Sequence, residues 1–504
     1  MTRPALLIAL AAIALYVATL DHYFVSDDFL NLERNLFQTV GQGIGLFSTT
    51  NVDFYRPIPR LHFGVLGGWA GGYTTVWNVV AVLLHACASV AAFLLAADLL
   101  GRENRRAARY AGLAFALHFI HVEPVVWASG VTSLYVGLFL FLALLWFRRA
   151  RRSGRARDAV LSVIAFAGAL MSKETAVVFV PLLVLTTWWW PPARAGGAPS
   201  RRWPTFAESV PYAILLAAYF AIVLGIDRGG DASPYRMAIG GHLLKNVAFF
   251  LLGGFVPVRM WEIQSLWAEA SGLGAFLAEL VRRPHLFLPL LLGAAALVAA
   301  WLRGGRDVRG AFLWILAAST PFLALPGSGE RFQYVSSLGA CLVLGLLAQA
   351  LLRRKDRIPG GILAARGIVL AGLLVLVAGA VDRQADWVLA SRWTKGIVAR
   401  WSFFQSLDPE DALVFRGIPD SWRSAWVFRN GFSSMVRLYW EGRPYWREGE
   451  AAPPGHPPAR SMSVALRTDG TIVMAPSRDA KAAVGAVGPS PAPPAVSSGA
   501  GDRP

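Results

Sequence analysis

Two adjacent carboxylates, Asp27 and Asp28, lie in the stretch 21–62, directly after the first apolar run of the chain. Other polar groups interrupt apolar sequence further on: Arg56, His121 with Glu123, Lys173 with Glu174, and Glu330 with Arg331. One chemistry uses such a set, the attack of an acceptor hydroxyl on an anomeric carbon linked to phosphate. A carboxylate beside the acceptor, Asp27 or Asp28, takes its proton as general base. Cations hold the departing phosphate, where negative charge builds in the transition state, and arginine offers it a bidentate fork. Each group also has a plainer role: solvated charges flanking a span, a polar turn, an ion pair closing a hairpin, a cation at the headgroups. Paired carboxylates can bind a divalent ion such as Mg or Mn, which leaves metal use open; no zinc-type spacing occurs. The two cysteines, Cys87 and Cys341, sit inside apolar runs and suit packing.

What must position these residues is a membrane bundle. The chain has 504 residues, 55% of them hydrophobic, in runs long enough to cross a hydrocarbon core of about 30 Å. A formal charge of +17 would suit a nucleic-acid partner if it were spread over one surface. Instead Arg and Lys cluster between apolar runs, at 101–109, 148–158, 201–202, 303–309 and 353–357, the positive-inside pattern of cytoplasmic loops. A nucleic-acid partner is therefore excluded from the expectation.

In order, spans are expected at 5–20, as an uncleaved first span, and at 75–99. The tract 110–147 would extend about 57 Å as one helix, two membrane thicknesses, so it is expected to form a hairpin whose outer turn is HFIHVEP. A second hairpin, 159–190, turns at Lys173-Glu174. An ionised residue at a helix centre costs about 2.5–3.5 kcal/mol, so this turn should line a polar cavity. Spans follow at 208–226, 286–302, 310–325, 333–352 and 361–381, with 238–283 a surface or re-entrant segment. The predicted fold is an all-α polytopic membrane protein of about 11 transmembrane helices, its N-terminus cytoplasmic and its C-terminus extracytoplasmic. Residues 1–382 form the membrane domain, with an outer catalytic loop at 21–56. Residues 383–475 form a small extracytoplasmic α+β module, or a set of strands packed on the membrane domain: an amphipathic helix at 383–406, then strands in DALVFRGIP, AWVFRNGF, MVRLYW, SVALRTDG and TIVMAP. The Ala/Gly/Pro/Ser tail 476–504 is expected to be disordered.

The ordered set SDDF, YRPIPRL, NVVAVLLHACAS, HFIHVEPVVWASG, SKETAVVFVP and ERFQYVSSLG resembles the GT-C superfamily of polyprenyl-phosphate-sugar-dependent glycosyltransferases. Within it, the chain is similar over roughly residues 5–350 to the transmembrane protein O-mannosyltransferases that carry tetratricopeptide repeats, and to their bacterial relatives. The resemblance implies an Asp base in the first outer loop, Asp27 or Asp28, a second acidic residue at Glu123, and Arg331 on the donor phosphate. Arg56 and Lys173 join Arg331 as phosphate-binding cations, and His121, Glu174 and Glu330 support them. The implied partners are a polyprenyl-phosphate-linked sugar, a protein or cell-envelope glycan or lipid acceptor, and the lipids of the cell (inner) membrane. No tetratricopeptide array follows, which leaves the acceptor open. The alternative is a transporter or lipid flippase, which calls for charges deep in several spans and internal pseudo-repeats; neither pattern is visible.

Overall fold

The computed structural model describes residues 2–48, 54–192, 203–226, 239–325, 327, 329–354, 361–400, 413–439, 445–447, 460–469 and 471–476. Runs of Ala, Leu, Val and Phe become helices because a backbone in lipid must satisfy its own hydrogen bonds. Among the described residues six helices are long and apolar enough to cross a membrane: Thr2–Thr19, Thr74–Leu100, Ala128–Ser153, Phe206–Leu224, Pro284–Arg303 and Gly361–Val398. The other five expected spans contain shorter or more polar helices, Arg105–Ala116, Ala156–Leu170, Phe179–Trp189, Arg306–Leu323 and Ser337–Arg353. Length and composition alone therefore support six of the eleven. Within 239–283 lie three short helices, His242–Gly253, Met260–Glu269 and Leu273–Val281. At about 1.5 Å per residue each falls short of the hydrocarbon thickness. The architecture is that of an all-α polytopic membrane protein with a small sheet.

Small residues set the helix contacts, as packing in lipid favours. A Cβ at Gly345 would meet the backbone of Ala107 and Ala111, and one at Gly339 the backbone of Ala311. At the arginine-rich end of the bundle the buried Arg148 turns inward from its basic block. It donates to Asp98 and to the carbonyls of Thr186 and Trp190, each at 2.6 Å.

Two expectations are corrected. Gly361–Val398 is one helix of 38 residues, so the expected end of a span at 381 and a separate amphipathic helix from 383 merge into one rod. The charges read as the end of the span are answered along its side. Arg259 binds Asp382 at 2.6 Å and Asp386 at 2.7 Å, and Arg383 binds Glu330 at 3.0 Å; no Gly or Pro interrupts 380–395. MVRLYW is not a strand: Phe432–Tyr439 is a helix whose buried face carries Phe432, Met435 and Val436, a spacing of three and four that the short window hid. Strands do form at Leu413–Arg416, Tyr445–Arg447, Arg460–Leu466 and Ile472–Pro476. The central Leu413–Arg416 pairs in parallel with Tyr445–Arg447 and Arg460–Leu466, and Ile472–Pro476 closes the sheet antiparallel to the latter. In AWVFRNGF only Ala425–Trp426 is strand, paired with Ser421–Trp422. The expected tail beyond 476 and residues 401–406 lie outside the described residues.

Gly345→Leu should force apart the helices Ser337–Arg353 and Arg105–Ala116. Overpacking of this kind costs about 1–3 kcal/mol, to be read as a lowered thermal unfolding temperature in detergent; an unchanged temperature contradicts the close contact.

Candidate active site

The first-loop helix Asp27–Asn35 opens on its two acidic residues, a placement the positive helix N-terminus favours. Neighbours on a helix point about 100° apart, so the two carboxylates part company. Asp28 is buried (1% exposed). Its Oδ2 accepts from the Val25 N–H at 3.0 Å, and its Oδ1 accepts from the Ser129 N–H at 2.7 Å and the Ser129 hydroxyl at 2.5 Å. Burial pushes its carboxyl up to about 7, against the lowering effect of those bonds. Asp27 is half-buried. Its Oδ1 accepts from the Asn430 amide at 2.8 Å and the Ser26 hydroxyl at 3.4 Å. Among the described residues its Oδ2 accepts no hydrogen bond, so Asp27 is the member of the pair with an oxygen to offer.

The turn between Ala116 and Val131 breaks into Phe119–His121, Val122–Val126 and Ala128–Gly130, which carries both Glu123 and Ser129 to this end of the bundle. Glu123 Oε1 accepts from the Arg331 guanidinium at 2.6 Å and from the Trp426 indole at 3.2 Å, and Oε2 accepts from the Arg331 backbone N–H at 2.9 Å. The Arg331 guanidinium also lies 4.8 Å from the Phe332 ring and 5.4 Å from Trp127, within reach of cation–π attraction. Lys173, in the turn between the helices of the second hairpin, donates to the Ser133 hydroxyl at 2.9 Å, and Ser133 donates to the Arg331 carbonyl at 3.4 Å. Burial pushes the Lys173 ammonium down to about 7. Ser133, Lys173 and Arg331 share the lining of a cavity of about 10 Å³, room for roughly one water. Arg56 forks onto Glu174 at 2.9 and 2.7 Å.

Two of the expected supporters bind groups of the bundle frame. Glu330 is bound by Arg383 at 3.0 and 3.1 Å; it anchors the turn Glu330–Gln333, which carries Arg331, to the long C-terminal helix. His121 is fully buried, its Nδ1 on the Phe115 carbonyl and its Nε2 on the Ser337 hydroxyl, both at 2.8 Å. It packs with His85 and Tyr334 inside the bundle. Both Asp28 oxygens accept hydrogen bonds from N–H and O–H donors. Among the described residues no group of three or more His, Cys, Asp or Glu side chains is placed to hold a metal ion. Residues missed in the sequence are Ser129, Ser133, Arg383, Trp426 and Asn430. The available signal was the Asn430-Gly431 turn pair, inside a segment read as a strand.

No family model matches the chain. In sequence it is 32% identical over 182 residues to protein O-mannosyl-transferase Tmtc1 of Drosophila melanogaster, covering 33% of this chain and 20% of that protein. It is 29% identical over 199 residues to protein O-mannosyl-transferase TMTC4 of Homo sapiens, covering 34% and 27%. Over about a third of its length the chain is thus similar to two protein O-mannosyl-transferases. These matches span about a fifth to a quarter of the relatives' own length. Among solved structures, the apo oligosaccharyltransferase of Archaeoglobus fulgidus aligns over 83% of this chain and 62% of its own at 13% identity, TM-score 0.42. ArnT from Cupriavidus metallidurans, bound to undecaprenyl phosphate, aligns over 94% and 97% at 13% identity, TM-score 0.46.

Asp28→Asn keeps the volume but turns an acceptor into a donor facing another donor, a loss of about 1–3 kcal/mol. The folded-state value near 7 lies above the ordinary 3.8, so the stabilisation from protonated Asp28 is full below about pH 4 and is lost as pH rises through 7. The difference in unfolding temperature between the native chain and Asp28→Asn should therefore shrink from pH 4 to 7 and then level off. A difference that widens over this interval contradicts the burial of Asp28.

Proposed function

We propose that the chain is an integral-membrane glycosyltransferase that moves a sugar, mannose by its sequence relatives, from a polyprenyl-phosphate carrier to an acceptor hydroxyl. The carrying observation is the open Oδ2 of Asp27 at the end of the bundle where Arg331, Lys173 and Arg56 gather around Glu123 and Glu174. The distribution of basic blocks supports placing that end on the extracytoplasmic face of the cell membrane.

In this reading Asp27 is the general base. The acceptor O–H proton passes to Asp27, the acceptor oxygen bonds to the anomeric carbon, and the bond from that carbon to the phosphate oxygen breaks. Polyprenyl phosphate departs with the electron pair, its added charge met by Arg331 and Lys173. Glu123 holds the Arg331 fork, and Glu174 holds Arg56. Asp28 is the anchor that fixes the helix carrying Asp27. The cavity between Lys173 and Arg331 has room for about one water and not for a phosphate.

The test is transfer of label from synthetic undecaprenyl-phosphate-[3H]mannose into non-lipid material, in membranes with and without the chain. Asp27→Asn should lower kcat by about 10²–10⁴-fold, the usual worth of a positioned base, at normal membrane insertion. Transfer at the native rate would remove Asp27 from the chemistry. Movement of the labelled lipid across the bilayer with no transfer would favour a flippase. Because Lys173 loses its proton as pH rises through about 7, the donor KM should rise between pH 7 and 8.5, and Lys173→Arg should flatten that rise; a KM independent of pH in both forms would remove Lys173 from the phosphate site.

A further inference from the structure

The C-terminal segment 423–437 reaches the first loop directly, across about 400 positions of sequence. The Ser26 N–H donates to the Val427 carbonyl at 2.8 Å. Ser26 itself is held at φ 49°, a conformation that is uncommon outside glycine and persists where its surroundings over-determine it. Gly431 lies against it so closely that a Cβ there would overlap the Ser26 carbonyl oxygen. The next residue of the first loop, Asp27, receives the Asn430 amide on Oδ1 at 2.8 Å. Farther along the same helix Phe29 stacks on Phe428 with centroids 6.2 Å apart, and Arg437 forks onto Glu33, one arm at 2.8 Å.

The segment is itself fixed at both borders of the site. Ser424 and Arg423 bind Asp386 on the long C-terminal helix at 3.2 and 3.4 Å, and Ala425, Val427 and Phe428 are buried. Trp426 donates to Glu123. One short stretch thus touches both the candidate base and the carboxylate that orients the candidate phosphate-binding arginine.

We propose that residues 425–431 are part of the active site and that Asn430 is a positioning residue for Asp27. By occupying Oδ1, the Asn430 amide fixes the rotation of the carboxylate so that Oδ2 faces the acceptor hydroxyl. Trp426 does the equivalent for Glu123 and, through it, for Arg331. Gly431 is required because the Ser26 turn that launches the Asp27 helix occupies the space of its missing side chain. The inference rests on Asp27 being the base, and the experiment separates the two.

Asn430 is exposed, so its replacement leaves the core intact. In full-length protein in native membranes, with undecaprenyl-phosphate-[3H]mannose as probe, Asn430→Ala should lower kcat by about 10–100-fold, the scale of a misplaced reacting group. The donor KM should stay within about twofold and the unfolding temperature should not move. Asn430→Asp, equal in size but lacking the donor, should fall at least as far. Residues that act as a unit are not additive, so Asn430→Ala should cost nothing further in an Asp27→Asn background. Native kcat in Asn430→Ala overturns the inference, as does an equal fractional loss in the native and Asp27→Asn backgrounds, while the base assignment stands. Native activity in Asp27→Asn overturns the base assignment itself, whatever Asn430 does.

Discussion

The buried Asp28 carboxylate is the joint on which this end of the molecule turns. Three donors from two separate loops meet on it, so the first loop and the turn carrying Glu123 cannot move independently. Pulling the carboxylate away would leave its N–H and O–H donors unanswered at a cost of about 1–3 kcal/mol, which gives the joint its stiffness. Because Asp27 is the adjacent residue on the same helix, its direction follows from where Asp28 is held. The pair therefore divides two tasks that a single carboxylate could not perform together: one is spent on structure, which leaves the other open.

The same division recurs around the cations. Arg56, Lys173, Arg331 and Arg383 each have a partner, as burial beside lipid requires, and the contacts are arranged in a chain. Arg383 holds Glu330, which places Arg331; Glu123 orients the Arg331 fork; Lys173 reaches the Arg331 carbonyl through Ser133. A phosphate entering here would meet cations already aimed by carboxylates, a form of electrostatic preorganisation. The rings of Trp127, Phe332 and Trp426 lie within about 6 Å of the guanidinium, within reach of cation–π attraction.

Much of the fold was legible because membrane helices announce themselves by length and composition. The two hairpin turns followed from the distance a helix spans, and the polar residues in them stood out against apolar sequence. The separate roles of Asp27 and Asp28 were not legible, since both sit in the first turn of one helix and only Ser129 and Asn430, remote in sequence, tell them apart. The long C-terminal helix was cut in two because Asp382, Arg383 and Asp386 looked like the end of a span; their partners Arg259 and Glu330 arrive from elsewhere in the fold. Residues 425–431 were hidden because AWVFRNGF was read as a strand, with no residue of it placed at the site. Their turn chemistry was visible, but nothing local says that Gly431 faces Ser26.

The most direct measurement is a cryo-EM structure of the chain in lipid nanodiscs with an undecaprenyl-phosphate sugar bound. The account predicts the phosphate within hydrogen-bonding distance of Arg331 and Lys173, with the anomeric carbon facing the side of Asp27 opposite Asn430. A phosphate seated at the other end of the bundle, among Arg306, Arg353 and Arg354, or a sugar with no path to Asp27, would contradict it.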